Sequence, residues 1–568
     1  MRERRWIYRN REHNREEVME MSRRLSLSPV ILTVLLNRGI SGDEQIKAFL
    51  SKSMQIVHNP MELPDMDKAA ERIYEAVENK EKICIYGDYD VDGITSTAIL
   101  YQYLMCHGAD VDYYIPGRIT EGYGVNIKAV NKISKTGCRL LITVDCGITS
   151  VGETELAKAQ GMDVIITDHH TCKAKIPAAV AVVNPKRSDS AYPFHELAGA
   201  GVAFKTVLAL SLKFGENTKE VFYKYAAFAA IGTVADVVSL TDENRTIVDR
   251  GILALSKTEH AGLCALMEAA GIKEITAGGI AFGLAPRLNA AGRLDKAEAA
   301  VELLLCSDKN RAGEIASMLN TANDRRRLFE QRIYEEAVEM CESDPDFDSK
   351  RIIVLAGEGW HHGVIGIVAS RLLDRFYRPV ILISYEDNKG KGSGRSIEGF
   401  NLFDGLTYCS ELLEKYGGHS MAAGITIDMD NFEGFADKIN KYAAEQITDE
   451  MLIPSVKIDC KISPAALTAA NIKALDILEP SGAGNETPVF CISGVQILSV
   501  MQMGETKNHL RLQVSKNGST MTCVAFKMGE LYESLPVGAL ADIAFTPQIN
   551  VYNGRENLQL RLCDIKIL

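Results

Sequence analysis

None of the thirteen cysteines forms a C-x-x-C pair, no apolar run reaches membrane-spanning length, and there is no excess of positive charge. The first absence excludes the usual zinc ribbons and dithiol redox motifs and points to reduced thiols in a cytosol. The second excludes a helical membrane span, since the apolar stretch 27–36 is far short of the roughly 20 residues a bilayer needs. The Arg-rich opening MRERRWIYRNREHNREE has no apolar core or cleavage site after it, so a secretory signal is not expected. Its interleaved glutamates argue against a mitochondrial presequence. The net charge of −12 means that any polyanion must bind through local basic patches, not through overall charge. The segment 451–568 is itself balanced, with ten Lys/Arg against ten Asp/Glu, so the acidity lies in the rest of the chain.

What is present is ordinary globular composition, 46% hydrophobic and 24% charged, over 568 residues. That length implies roughly three to four domains. Residues 1–64 read as a helical lead-in packing on the first domain. From 65 to 245, predicted helices (67–79, 95–106, 126–135, 151–160) alternate with short apolar strands (83–86, 111–115, 140–144, 164–167). This is the pattern of parallel βαβ units in a doubly wound α/β sheet. Residues 246–345 turn mainly helical and end in a long charged helix. A boundary at CESDPDFDSK precedes a second α/β unit, 346–450. The last segment, 451–568, carries five short alternating strands with Asn-Gly turns, as in a small OB-type β-barrel.

The stretch 82–100, KICIYGDYDVDGITSTAIL, runs from an apolar strand through Asp88, Asp90 and Asp92 into a helix. D-x-D-x-D-G also opens an EF-hand loop, but counting from Asp88 puts Ile99 where the bidentate Glu belongs. Doubly wound sheets place ligands at the carboxyl ends of their strands. By that rule, the strand at 140–144 delivers Asp145 in LITVDCGI, and the strand at 164–167 delivers Asp168, His169 and His170 in VIITDHH. A later segment, IGTVADVV, adds Asp236. Asp145 alone reads more readily as a turn or helix-capping residue than as a ligand. Several carboxylates with one or two imidazoles, however, suit Mn²⁺ or Mg²⁺, and two such ions can activate a water and neutralise charge on a phosphate.

GDYDVDG, TVDCGI, TDHH and GTVADVV in this order resemble the DHH phosphoesterase superfamily. PGRITEGYG, PRLNAAGRLDKAE, GWHHGVIGIVASRL, GSGRS, GGHSMAAG and the OB-like end extend that resemblance, over nearly the whole chain, to the RecJ family of single-stranded-DNA-specific exonucleases. The resemblance implies a metal-dependent 5′→3′ exonuclease acting on single-stranded DNA in recombination and repair, with two divalent cations as cofactors. It implies Asp90, Asp92, Asp145, His169 and Asp236 as metal ligands, with Asp145 bridging, and Asp88 as a ligand or supporting group. His170 would contact the scissile phosphate or orient the attacking water. Arg118, Arg293, Ser393 and Arg395 would hold the 5′-phosphate. Asn289, His361 and His419 would touch the bound strand. On the barrel, Lys507, His509, Arg511, Lys527, Tyr552 and Arg555 are candidate DNA contacts.

GSGRS lacks the spacing of a nucleotide-triphosphate loop and reads otherwise as a solvated hairpin turn. The implied setting is a cytoplasmic monomer whose partners are single-stranded DNA, a single-strand-binding protein and a RecQ-type helicase. Two other readings stay open: a phosphodiesterase of the same superfamily acting on short oligoribonucleotides or cyclic dinucleotides, and a catalytically silent replication scaffold. The barrel argues against the first and the intact acidic motifs against the second.

Overall fold

A computed structural model describes residues 4–9, 13–118, 120–122, 124–293, 297–552 and 555–568; the side chains of Arg293, Val551, Tyr552 and Arg555 also lie outside the described set. The chain divides into two compact units. One comprises Ala48–Arg327 with Pro480–Glu486, and the other Met1–Lys47, Leu328–Glu479 and Thr487–Leu568. The division falls within the 35-residue helix Lys309–Ser343.

The first unit is built on a five-stranded, wholly parallel sheet. Its spatial order is Val111–Tyr114, Ile83–Gly87, Leu140–Val144, Asp163–Thr167, Ala181–Val183. In sequence order that is 2-1-3-4-5, which puts the crossover reversal between Ile83–Gly87 and Leu140–Val144. Alternate strand residues feed two different cores. Ile83, Ile85, Leu140, Ile142 and Val183 join one, and Cys84, Tyr86, Leu141, Val164 and Val182 join the other. Burial on both faces explains why these strands read as continuous apolar runs instead of alternating ones. The helices Val91–Cys106, Gly199–Lys213 and Thr218–Ala235 pack in the larger core and are buried over most of their length. The strand Ala181–Val183 and the helix Gly199–Lys213 were not expected from the sequence.

The second unit contains a mixed five-stranded sheet. Its order is Lys415–Gly418, Ala422–Asp428, Lys389–Arg395, Val380–Glu386, Ile353–Glu358, and only the last two strands are parallel. The expectation of a turn at KGKGSGRS is corrected here. Lys389–Arg395 is a strand hydrogen-bonded on both sides. Its glycines are not hinges. A Cβ on Gly392 would lie 2.6 Å from Ile425 and one on Gly394 2.6 Å from Leu402, so apolar neighbours occupy the space.

The same unit holds a closed five-stranded barrel: Phe490–Met503, His509–Lys516, Ser519–Ala525, Arg555–Ile567 and Leu540–Tyr552, the last returning to pair with the first. Phe490, Ile497, Leu512, Cys523, Ile543 and Phe545 are buried. Closure removes free sheet edges, as in an OB fold. The N-terminal segment departs from expectation. Its residues 1–47 fall in this unit, with Arg5–Tyr8 pairing in parallel with Ser455–Ile458, while 48–64 fall in the parallel-sheet unit as expected. The buried Arg38 guanidinium donates to both oxygens of Asp459, at 2.8 and 3.1 Å. A four-residue strand inside an Arg-rich stretch has no periodicity to reveal it; a partner some 450 residues away supplies its hydrogen bonds.

Candidate metal centre

The sheet register builds the site. Gly87 pairs with Val144, and Val144 with Thr167. The three residues that follow, Asp88, Asp145 and Asp168, therefore emerge from adjacent strands at the same level. Beyond Asp88 the chain turns at Asp90, whose Oδ1 accepts from the Gly93 amide and caps the helix Val91–Cys106. The helix thus begins earlier than the periodicity implied, and Asp92 sits in its first turn instead of in a loop. Asp92 is gripped from outside, because its two oxygens accept from the Gly199 and Ala200 amides at 2.6 and 2.8 Å. Those amides open the helix Gly199–Lys213, where unpaired N–H groups favour an anion.

Close approach demands glycine at this junction. A Cβ at Gly199 would stand 2.5 Å from Asp145 Oδ1, and one at Gly232 would stand 2.8 Å from Asp92 Oδ1. Asp145 itself adopts φ = 59°, a left-handed conformation that Asp tolerates better than most residues.

His169 Nε2 lies 3.1 Å from Asp145 Oδ1, 3.6 Å from Asp236 Oδ2 and 3.7 Å from Asp92 Oδ2. Asp236 arrives as the C-cap of the helix Thr218–Ala235. Three overlapping groups of donor atoms result: Asp88, Asp90 and Asp145; Asp92, His169 and Asp236; and Asp145, His169 and His170. Asp145 links the first group to His169, as a bridging ligand must. The structure thus brings together every carboxylate and imidazole expected at the centre.

Burial raises the carboxyl pKa values here. Asp92 is pushed up to about 7 by burial and by Asp90, and Asp236 up to about 9 by burial and by Asp92. Asp145 is driven well above the carboxylate range by the same two causes. His169 is pushed down to about 3 by burial and by His170, leaving its imidazole neutral. Among the described residues, Asp88 Oδ1, Asp145 Oδ1 and His169 Nε2 are buried without a hydrogen-bond partner. Orphaned lone pairs and crowded acids are the signature of a missing positive charge. Oxygen-rich donors with one neutral imidazole fit a Mn²⁺- or Mg²⁺-like cation.

Asp168, named only as part of its triplet, is hydrogen-bonded to the two histidines that follow it. It accepts from the Ile148 amide at 2.8 Å and from the His169 and His170 amides at 2.7 and 3.1 Å. Its Oδ1 also lies 2.8 Å from His170 Nδ1. These bonds overcome burial and keep Asp168 below the ordinary carboxylate range. The same pairing outweighs the effect of burial on His170 and raises its pKa. The sequence signal for this pairing was available: an Asp two residues before a histidine, ending a strand.

Three family models match this chain: the DHH family N-terminal domain over residues 82–233, the DHHA1 domain over 349–445 and the RecJ OB domain over 458–564. The single-stranded-DNA-specific exonuclease RecJ of Bacillus subtilis is 39% identical over 98% of this chain and 70% of its own length. The chain belongs to the RecJ family. The RecJ of Escherichia coli is 33% identical, covering 95% of this chain and 96% of the relative. The crystal structure of RecJ with Mn²⁺ from Thermus thermophilus superimposes with a TM-score of 0.85 at 31% identity, covering 99% of this chain and 79% of that one.

The other expected site residues of this RecJ-family chain fall in three places. In the parallel-sheet unit, Asn289 Oδ1 accepts from the Val91 amide at 3.2 Å, so it braces the aspartate motif. The Arg118 guanidinium stacks 5.1 Å above the Tyr89 ring. The Arg293 side chain lies outside the described residues. In the mixed-sheet unit, Ser393 and Arg395 share one strand face, with Arg395 Nη1 3.3 Å from Ser393 Oγ. The helix His362–Phe376 approaches them so closely that a Cβ on Gly366 would sit 2.8 Å from Ser393 Oγ. His361 caps that helix through the Gly363 amide and lies beside Phe329. His419 stands exposed in the hairpin between Lys415–Gly418 and Ala422–Asp428.

On the barrel, Lys507, Arg511 and Lys527 are exposed, and His509 Nδ1 accepts from the Lys527 amide at 2.9 Å. The side chains of Tyr552 and Arg555 lie outside the described residues. Sequence reasoning missed Phe526. It is 47% exposed and lies against His509, with the Arg561 guanidinium 5.7 Å from its centroid. The single-aromatic signal was there, but an aromatic at a strand end is more often core.

No helix among the described residues is long and apolar enough to cross a membrane.

Proposed function

We propose that the chain is a metal-dependent exonuclease that hydrolyses single-stranded DNA from its 5′ end. The observation that carries this reading is the cluster of buried Asp88, Asp92, Asp145 and His169 with half-buried Asp90 and Asp236, with orphaned oxygens and a neutral imidazole, in a RecJ-family chain. Asp88, Asp90 and Asp145 would hold one Mn²⁺ or Mg²⁺, and Asp92, Asp145, His169 and Asp236 a second. When bound, such a pair activates water and neutralises charge developing on the phosphodiester.

The chain's own residues do the positioning. The Gly199 and Ala200 amides hold Asp92 in place. Asp168 holds the His170 ring, so that His170 can present its other nitrogen to the scissile phosphate. Ser393 and Arg395 offer a hydroxyl and a guanidinium for the 5′-phosphate. The barrel, with His509, Phe526 and Arg561 close together, suits a handhold on the incoming strand. The same barrel disfavours a dinucleotide substrate, and the intact cluster disfavours a silent scaffold. In the cell the protein would act as a cytoplasmic monomer on strands exposed by a RecQ-type helicase and covered by single-strand-binding protein.

The test is digestion of 5′- and 3′-labelled single-stranded and blunt duplex DNA with Mn²⁺. Mononucleotides released first from the 5′ label, with duplex resisted, are expected. Equal attack on duplex, or activity on dinucleotides alone, would refute the reading.

A further inference from the structure

One residue past Asp236, the chain holds a valine in a backbone conformation that glycine usually fills. Asp236 caps the helix Thr218–Ala235, and the next residue, Val237, has φ = 61°. The position just past a C-cap commonly takes this left-handed conformation, but glycine usually fills it. A β-branched residue there is strained, because its branched Cβ crowds the backbone. Core packing does not compensate, because Val237 is 71% exposed. The strain therefore holds an apolar side chain out toward solvent, one residue from a candidate metal ligand.

A second apolar side chain faces the same space. Ile280–Leu284 forms a single π-helical turn running into the helix Ala285–Arg293. Such turns re-aim side chains and gather at functional sites. Phe282, in the middle of this one, is 82% exposed. Val237 and Phe282 line a cavity of about 300 Å³ together with Val234, Val238, Leu240 and Ala281, closed by the loop Ser481–Ala483. None of the described residues that line it carries a charge. Scattered exposed apolar residues need no explanation, but a strained valine and an aromatic on one uncharged cavity are not scattered.

Both walls lead into the metal centre. One continues through Asp236. The other continues from the π turn to Asn289, which bonds the Val91 amide, and to Gly292, where a Cβ would stand 2.5 Å from the Tyr89 carbonyl. The cavity is thus lined by the chain neighbours of Asp236, the residues on either side of it. Ser481 is the one polar side chain among the described lining residues and none of them is cationic, so nothing there neutralises a phosphate, and the volume is at the small end for ligand sites. A planar, uncharged ring attached to the reacting backbone fits.

We infer that Val237 and Phe282 form a stacking platform for a nucleobase of the single strand adjacent to the scissile phosphate. The inference rests on the exonuclease reading given above. Stacking on an aromatic face is tolerant of base identity, so the platform would grip every nucleotide in turn without selecting sequence. It also requires an unpaired base, since a base within a duplex has both faces covered.

The test compares kcat/KM on 5′-phosphorylated single-stranded oligonucleotides that are either intact or carry one abasic nucleotide at the first, second or third position. Wild-type protein should lose about tenfold at one of these positions, in keeping with the worth of one base–aromatic stack. Phe282→Ala should lose about tenfold on intact DNA and show no further abasic penalty there, while Phe282→Tyr restores both rate and penalty. Val237→Gly should lose a few-fold in kcat/KM yet melt at the same or a higher temperature. Equal abasic penalties in wild type and Phe282→Ala would overturn the platform while leaving the exonuclease reading intact. A drop of several degrees in the melting temperature of Val237→Gly would overturn the part given to Val237, by showing it to be a packing residue. Wild-type protein inactive on every single strand would overturn the exonuclease reading and the platform with it.

Discussion

At the carboxyl edge of the parallel sheet, Asp88, Asp92, Asp145 and His169 are buried, and their geometry is set by strand register and by a helix N-terminus. On the barrel, Lys507, Arg511 and Lys527 stand in solvent on long flexible stems. In the proposed function the first arrangement would concentrate the chemistry in a few buried atoms. In the proposed function the second would spread binding over several weak, salt-screened contacts. Burial makes the difference, because a buried polar atom must have a partner or a ligand, whereas an exposed one has water.

Substitutions can break or sharpen this contrast, in descending order of effect. Asp145→Ala should abolish turnover, by about a thousandfold or more, because a bridging carboxylate has no substitute. In metal-free buffer the same variant should melt no lower than wild type, since it removes a crowded buried acid, and added Mn²⁺ should no longer raise its melting temperature. Calorimetry with and without EDTA, beside the digest, checks both halves. Retained activity would mean that the ligand assignment is wrong.

Asp168→Asn should cost about 10–100-fold in kcat with little change in KM, as for residues that orient a metal-site imidazole. A KM effect alone would move Asp168 to substrate binding. Arg395→Ala should reduce the preference for 5′-phosphorylated over 5′-hydroxyl ends by about tenfold, measured in competition, because a charge-assisted contact is lost. An unchanged preference would remove Arg395 from the end-binding pocket. The smallest effect belongs to the barrel. Arg511→Ala and Lys527→Ala should each raise KM only about two- to fivefold, and each should lower the salt dependence of binding by about one phosphate contact. A loss as large as that of Asp168→Asn would mean that the barrel is not a distributed handhold.

The same contrast explains what was legible in the sequence. Apolar runs ending in acids announced the sheet and its ligands, because a parallel strand buried on both faces cannot carry a carboxylate until it ends. The five barrel strands were legible from alternation and turn residues. GSGRS misled. Glycines at Gly392 and Gly394 looked like a turn but serve a strand crowded by Ile425 and Leu402. The N-terminal strand was invisible, since four residues carry no period and its partner lies at Ser455–Ile458. Val237 escaped notice because nothing in the letters A-D-V-V reveals a positive φ.

The sequence by itself determined the metal-binding chemistry of the centre, the sheet that presents it and the barrel that accompanies it. These follow from local rules of burial and periodicity acting over a few residues. Only the tertiary structure decided that Asp88, Asp145 and Asp168 stand level, that Gly199 and Ala200 clasp Asp92, and that Asp168 steers His170. It also decided that residues 1–47 join the barrel unit. Each of these depends on atoms meeting across long stretches of chain or on a side chain's direction, and neither register nor direction is encoded by any local pattern.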